Sequence, residues 1–243
     1  MHKTSLCVDN SIIELRGIIP VTMLDWKGKV ACTLFVGGCN FRCPFCHNPE
    51  LVLFPKKQPL VLWNKVEQHL KAKKEWLDGV VITGGEPTIN DGLRNFASTL
   101  KKMDYPVKLD TNGTRPRVLS RLIQEKLIDF IAMDVKSSFE NYPKATGVSV
   151  NIENIKESID LIIKSNIAHE FRSTVVPGLV EEEDVLKMAD YLGKRDAQHY
   201  YLQQFNPKIT LDFSLAKTKP FKREMLINLT KKCRQFLATD FRG

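Results

Sequence analysis

A single α/β domain of barrel-like form, with six parallel strands linked by helices, is the fold this sequence predicts. Three observations carry the prediction. Short apolar runs alternate with longer stretches of helical period, as in repeated strand–helix units. Runs such as Val80-Val81-Ile82 and Phe130-Ile131-Ala132-Met133 are continuously apolar, as strands covered on both faces should be. The unusual polar residues fall just past the ends of these runs, where parallel barrels carry their active sites.

The six strands are expected over 29–36, 80–82, 107–109, 130–133, 169–176 and 199–202. Between them, Leu93, Phe96, Leu100 and Met103 recur at three and four residues, as do Ile152, Ile155, Ile159 and Ile162, and Val185, Met188, Ala189 and Leu192. Each set is one apolar helix stripe. A last helix is expected to start near Pro220, a good first-turn residue, and to bury Leu226, Leu229, Cys233 and Phe236. The chain has 243 residues, 43% of them hydrophobic and 26% charged, which suits one well-formed domain over 1–243.

Charge and segment composition exclude several classes. The stretch 1–16 offers no apolar signal core, and no run approaches the roughly 18 apolar residues that span a bilayer, so a cytoplasmic protein is expected. The formal charge is +8, and basic residues gather at Lys71, Lys73 and Lys74, at Lys101 and Lys102, and at Lys231, Lys232 and Arg234. No aromatic residues interleave with these runs, so they read as solvated helix faces rather than a nucleic-acid platform; they could equally steer an acidic protein.

The strand-end residues form a sequence of their own. A loop with Cys39 follows the first strand, Thr83-Gly84-Gly85-Glu86-Pro87 the second, Asp110-Thr111-Asn112-Gly113 the third and Asp134-Val135-Lys136 the fourth. Arg172 and Pro177-Gly178 belong to the fifth and Gln203-Gln204 to the sixth. Taken singly, Arg172 with Glu170 could be a surface ion pair, and Gln203 or Gln204 could cap a sheet edge. His169 and His199 read as core or edge residues. Converging on one barrel mouth, the segments have the layout of an enzyme.

Three of the six cysteines stand within Cys39-Asn40-Phe41-Arg42-Cys43-Pro44-Phe45-Cys46-His47, a spacing whose chance expectation is on the order of 0.004. Three chemistries fit. Cys43-Pro44-Phe45-Cys46-His47 has the form of a c-type haem site or a dithiol redox pair, but either leaves Cys39 idle. Cys39, Cys43, Cys46 and His47 could close a structural zinc, which would make a binding module and leave the other strand-end motifs without a task. A 4Fe-4S cluster wants four thiolates and finds three, leaving one iron open to a substrate. Of the rest, Cys32 lies in the first strand, Cys233 in a helix stripe and Cys7 near the terminus.

The Cys-x-x-x-Cys-x-x-Cys spacing, with aromatic Phe45 before its last cysteine, resembles the signature of the radical S-adenosylmethionine superfamily. The segments 37–50, 82–88, 108–113, 132–136, 170–172 and 202–205 are similar to those of the anaerobic ribonucleoside-triphosphate reductase activating proteins, with pyruvate formate-lyase activating enzymes as near relatives. The likeness runs over about 17–205 and leaves a helical extension at 206–243.

This resemblance implies a six-stranded partial barrel of radical S-adenosylmethionine type, a 4Fe-4S cluster on Cys39, Cys43 and Cys46, and S-adenosylmethionine on its open iron. It implies that backbone groups of Gly84 and Gly85, with Glu86 and Pro87 shaping the turn, hold the methionyl amine, that Lys136 meets the carboxylate, and that Arg172 lies near the ribose or carboxylate. Phe45 and His47 would flank the adenine, and Asp110, Thr111 and Asp134 would gather a monovalent cation. Flavodoxin or ferredoxin would supply electrons, and a glycyl-radical protein, the anaerobic ribonucleotide reductase, would receive the radical. Segment 23–29 resembles the approach to that partner, with Lys27 standing where the resemblance leads one to expect proline.

Overall fold

The computed structural model describes residues 13–243. Cys7 and nearly all of the terminal stretch read above for targeting lie outside the described residues. One eight-stranded sheet holds the chain, with its strands in sequence order. β1 (Leu15–Thr22) pairs antiparallel with β2 (Ala31–Val36). From β2 onward every pairing is parallel, through β3 (Gly79–Gly84), β4 (Val107–Thr111), β5 (Phe130–Asp134), β6 (Ala168–Val175), β7 (Tyr200–Gln204) and β8 (Thr239–Arg242).

The expected count of six strands is therefore too low. The six expected strands are β2–β7, and one strand is added at each edge. β1 escapes sequence reading because Gly17 and Pro20 interrupt it and its register shifts twice; a proline is tolerated there because an edge strand can spare a donor. β8 is four residues long and polar at three of them, too short to show a period.

Among the described residues eight α-helices connect the strands. α1 (Pro49–Leu53) and α2 (Trp63–Ala72) lie between β2 and β3, and α3 (Leu93–Lys102) follows β3. α4 (Pro116–Gln124) follows β4, α5 (Tyr142–Thr146) and α6 (Ile152–Lys164) follow β5, α7 (Glu182–Gly193) follows β6 and α8 (Arg223–Cys233) follows β7. The stripes fall as expected on α3, α6 and α7: Leu93, Phe96, Leu100, Ile155, Ile159, Ile162, Val185, Met188 and Leu192 are all buried. The last helix begins at Arg223 rather than near Pro220, and Phe236 lies beyond its end, 41% exposed. Among the described residues no helix is long and apolar enough to cross a membrane.

Strand alternation sorts the side chains into two environments. Outward residues such as Cys32, Leu34, Val80, Ile82, Leu109, Ile131, Met133 and Phe171 join the helices in the main core, and Cys32 and Cys233 are fully buried there. Inward residues line the barrel. At the amino ends of β2, β3 and β5 they are apolar, with Ala31, Val81 and Phe130 packed on Trp26, while β4 adds the buried Lys108 at that level; at the carboxyl ends they are polar or charged.

Candidate active site

The cysteine loop leaves β2 through Gly37 and Gly38 and is fixed from both sides. Gly38 N donates to Leu51 O at 2.8 Å, and the turn after β3 grips the other face through Gly85 N to Val36 O (2.9 Å) and Glu86 N to Gly38 O (2.8 Å). The approach is close enough to require glycine. A Cβ on Gly85 would stand 1.8 Å from Gly38 O, and one on Gly84, whose φ is +115°, would stand 2.5 Å from Val36 O. These glycines therefore bring the β3 turn onto the cysteine loop.

Further along, Arg42 N donates to Thr146 O of α5 at 2.8 Å, so the loop is backed by that helix. Cys39 and Cys46 are half-buried and Cys43 is buried. Burial pushes the Cys39 thiol up to about 11, the Cys43 thiol up to about 12, and the Cys46 thiol upward as well. Main-chain N–H groups oppose this at two of them: Phe41 N donates to Cys39 Sγ at 3.3 Å, and the N–H of Asn48 favours the Cys46 thiolate. Buried thiols of this kind become thiolates when a metal takes the proton's place.

Glu86 is the keystone between β3 and β4. Its carboxylate is buried and accepts hydrogen bonds from Thr88 N (3.0 Å), Thr111 Oγ1 (2.7 Å) and Asn112 N (2.6 Å). Burial raises its pKa while these donors pull it back. Asn112 then reaches the cysteine loop through Nδ2 to Asn40 Oδ1 at 2.8 Å, and Asn40 donates to Thr114 Oγ1 at 2.8 Å. The Asn40–Asn112 tie was not singled out from the sequence, because its partners are far apart in the chain.

The charged wall comes from β4, β5 and β6. Arg172 Nε donates to Asp134 Oδ1 at 2.8 Å and Nη1 to Asp110 Oδ2 at 3.3 Å, while Lys136 Nζ lies 3.0 Å from Asp134 Oδ2. Burial works against ionisation of Asp134, but the Arg172 and Lys136 charges hold it well below the usual carboxylate range. Lys136 and Arg172 are held charged in turn, each against the cost of burial, chiefly by Asp134 for the lysine and by Asp110 and Asp134 for the arginine. Asp110 Oδ1 is buried without a hydrogen-bond donor; Lys108 Nζ stands 3.4 Å away but is not aligned to serve it.

Arg172 is thus no surface partner of Glu170, from which it stands 3.9 Å at the nearest. Glu170 is instead held by both Nη groups of Arg242 from β8, at 2.9 and 2.7 Å. Neither glutamine caps a sheet edge, because β7 is flanked by β6 and β8; Gln203 faces the cavity and Gln204 donates to Phe221 O at 3.2 Å. His169 bonds Ile167 O and His199 lies beside Asp240, both away from the cavity.

One cavity gathers Cys39, Cys43, Phe45, Cys46, His47, Gly84, Gly85, Glu86, Asp110, Thr111, Asp134, Lys136 and Arg172, all of the residues nominated from the sequence. The donor set suits an iron–sulfur cluster: three thiols on one loop face the cavity, two of them already receive N–H groups, and Cys32 and Cys233 are sealed in the core elsewhere. His47 sits exposed at the rim, whereas the three cysteines are half-buried or buried.

Comparison with known proteins agrees with this geometry. The family model described as the radical SAM superfamily matches residues 33–192. A protein of Methanocaldococcus jannaschii that carries the name of a glycyl-radical enzyme activating enzyme is 35% identical over 230 residues, which cover 92% of each chain. A second protein of that organism with the same kind of name is 28% identical over 194 residues, covering 78% of this chain and 71% of the other. Among solved structures, Streptococcus suis SuiB bound to S-adenosylmethionine superposes with a TM-score of 0.65 at 14% identity, over 85% of this chain and 48% of that one. The chain thus spans about half the length of that protein, and the likeness is one of fold.

Proposed function

The chain belongs to the radical SAM superfamily of enzymes, and on that premise we propose that it activates a glycyl-radical enzyme, with an anaerobic ribonucleoside-triphosphate reductase as its partner. The observation that carries the reading is the three-cysteine loop facing a cavity walled by the carboxyl ends of the parallel strands. The choice of partner rests on the resemblance of 37–50, 82–88 and 108–113 to the activating proteins of that reductase.

In this reading Cys39, Cys43 and Cys46 hold a 4Fe-4S cluster. When bound, the cluster supplies the low-potential electron that splits S-adenosylmethionine into methionine and a 5′-deoxyadenosyl radical, whose target is a glycine Cα–H of the partner. The residues of the chain do the positioning. Gly84 and Gly85 offer main-chain groups to the methionyl amine. Lys136 offers the carboxylate an ammonium that has spent one of its three donors on Asp134. Arg172 is clamped by Asp110 and Asp134, so its remaining N–H groups present a fixed direction to the ribose or carboxylate. Phe45 and His47 flank the adenine, one buried and one at the rim.

A monovalent cation beside the cosubstrate would draw on Asp110, Thr111 and Asp134. Asp110 Oδ1 has no hydrogen-bond donor to give up, whereas both oxygens of Asp134 are occupied by Arg172 and Lys136. Asp110 is therefore the anchor in this reading. An external flavodoxin or ferredoxin provides the electron.

The test is an anaerobic incubation of the cluster-loaded protein with S-adenosylmethionine, dithionite and the reductase. A glycyl-radical doublet in the electron paramagnetic resonance spectrum, matched by 5′-deoxyadenosine, is expected. A doublet on pyruvate formate-lyase and none on the reductase would transfer the assignment to that enzyme.

A further inference from the structure

The third basic run does more than decorate a helix. Lys232 turns to Glu182, but Lys231 and Arg234 line a depression alongside β8 together with Lys27, Tyr201 and Arg242. Its charges do not balance. Arg242 is spent on Glu170, and Arg234 bonds Asp240 Oδ1 at 2.8 Å. Lys27 meets a neutral group, the Tyr201 hydroxyl at 3.2 Å, and neither it nor Lys231 has a carboxylate within ion-pair distance among the described residues. The depression shares Arg242 with a second opening lined by Gln203, Asn206, Lys208 and Gly243. That opening shares His47, Thr174 and Gln203 with the active cavity. The depression, the second opening and the active cavity thus adjoin one another in turn along β8, with Arg242 standing between the first two.

We propose that this row of openings along β8 is the docking groove for an acidic polypeptide segment of the protein that receives the radical, with Lys27 and Lys231 as its specificity-determining cations. The proposal rests on the glycyl-radical reading above. Charge complementarity selects the occupant: two ammonium groups with no carboxylate within ion-pair distance among the described residues, on a chain of formal charge +8, favour carboxylates. A polypeptide is favoured over a nucleic acid because the aromatic faces in the groove are already covered. Arg242 lies 3.5 Å over the Tyr201 ring, His199 stacks on it at 4.3 Å, and Arg223 lies 4.8 Å over Phe241. No base could stack there without displacing them. Gln203, at the junction with the active cavity, carries a primary amide that can both donate to and accept from a peptide main chain.

The experiment uses the cluster-loaded full chain under anaerobic conditions and a fluorescein-labelled peptide of alternating Glu and Gly, titrated by anisotropy against its Gln–Gly counterpart and a polythymidine oligonucleotide. The Glu peptide is expected to bind on the order of tenfold tighter than the Gln peptide, and to weaken with added salt. The K27E/K231E variant should lose that preference, and K27Q/K231Q should lose part of it, which separates charge from misfolding. Equal binding of the two peptides, unchanged affinity in K27E/K231E, or an oligonucleotide that alone responds to the substitutions would each overturn the groove assignment. Formation of 5′-deoxyadenosine with dithionite and no partner is read in parallel. It should be the same in wild type and K27E/K231E, since neither lysine lines the active cavity, and its absence from the wild type counts against the proposed function rather than the groove.

Discussion

At the amino ends of β2, β3 and β5 the barrel interior is apolar, with Ala31, Val81 and Phe130 closing on Trp26 and the buried Lys108 of β4 beside them, its Nζ 5.5 Å from the Phe130 ring, whereas at the carboxyl ends of β3 and β5 the same inward face carries Thr83 and Asp134. Phe130 and Asp134 are four residues apart on one strand, roughly 13 Å at the usual strand rise. Alternation decides which face a side chain takes, and distance along the strand decides its chemistry. The pocket around Trp26 can be filled by any apolar set of the right volume. The upper end cannot, because each charged group there is held by another.

Breaking the upper end at its centre should have the largest effect. Cys43→Ala removes one of three thiols, and formation of 5′-deoxyadenosine with dithionite should fall to background together with iron and sulfide content, both measured after anaerobic reconstitution. Turnover retained at the wild-type level would refute the cluster assignment.

Asp134→Asn comes next. It leaves Lys136 and Arg172 facing each other without their shared carboxylate; with the pair partly open to solvent, the loss should be on the order of 2–3 kcal/mol in urea unfolding, below the figure for a fully buried pair. The sign of its pH dependence follows from the depressed pKa of Asp134. The contribution is fully present above the unfolded carboxylate value of about 3.9 and is lost as pH falls toward the lower native value. Wild type should therefore lose its advantage over the variant on acidification; a difference that grows as pH falls would contradict the pairing.

Gly85→Ala strains the seam between the two loops, since a backbone oxygen occupies the space the methyl needs. A loss of about 1–3 kcal/mol is expected, with weaker S-adenosylmethionine binding by calorimetry because the cysteine loop must shift. The smallest effect belongs to the lower end. Val81→Ala should cost roughly 1–2 kcal/mol through the cavity it leaves, with the KM for S-adenosylmethionine unchanged. A changed KM there would show that the two ends are coupled.

The same contrast explains what could be read from the chain. β2–β7 were legible because strands covered on both faces are apolar over consecutive residues, and the helix stripes because three- and four-residue spacing survives in one sequence. β1 and β8 were not, since edge strands need neither pattern. Within the site, the residues were visible as breaks in apolar runs, but their mutual arrangement was not. Glu86 looks like part of a glycine turn, and only the fold brings Thr111 and Asn112 onto its carboxylate. Arg242 gave no signal at all, because its partner Glu170 is 72 residues away and β8 is too short to announce itself.

The most direct test of a three-thiolate cluster that grips S-adenosylmethionine is electron paramagnetic resonance of the anaerobically reconstituted, dithionite-reduced protein with and without that cosubstrate. About four irons per chain and a cubane signal whose g values move on adding S-adenosylmethionine are the expected result. Stoichiometric zinc with no reducible cluster, or a cluster signal indifferent to S-adenosylmethionine, would contradict it.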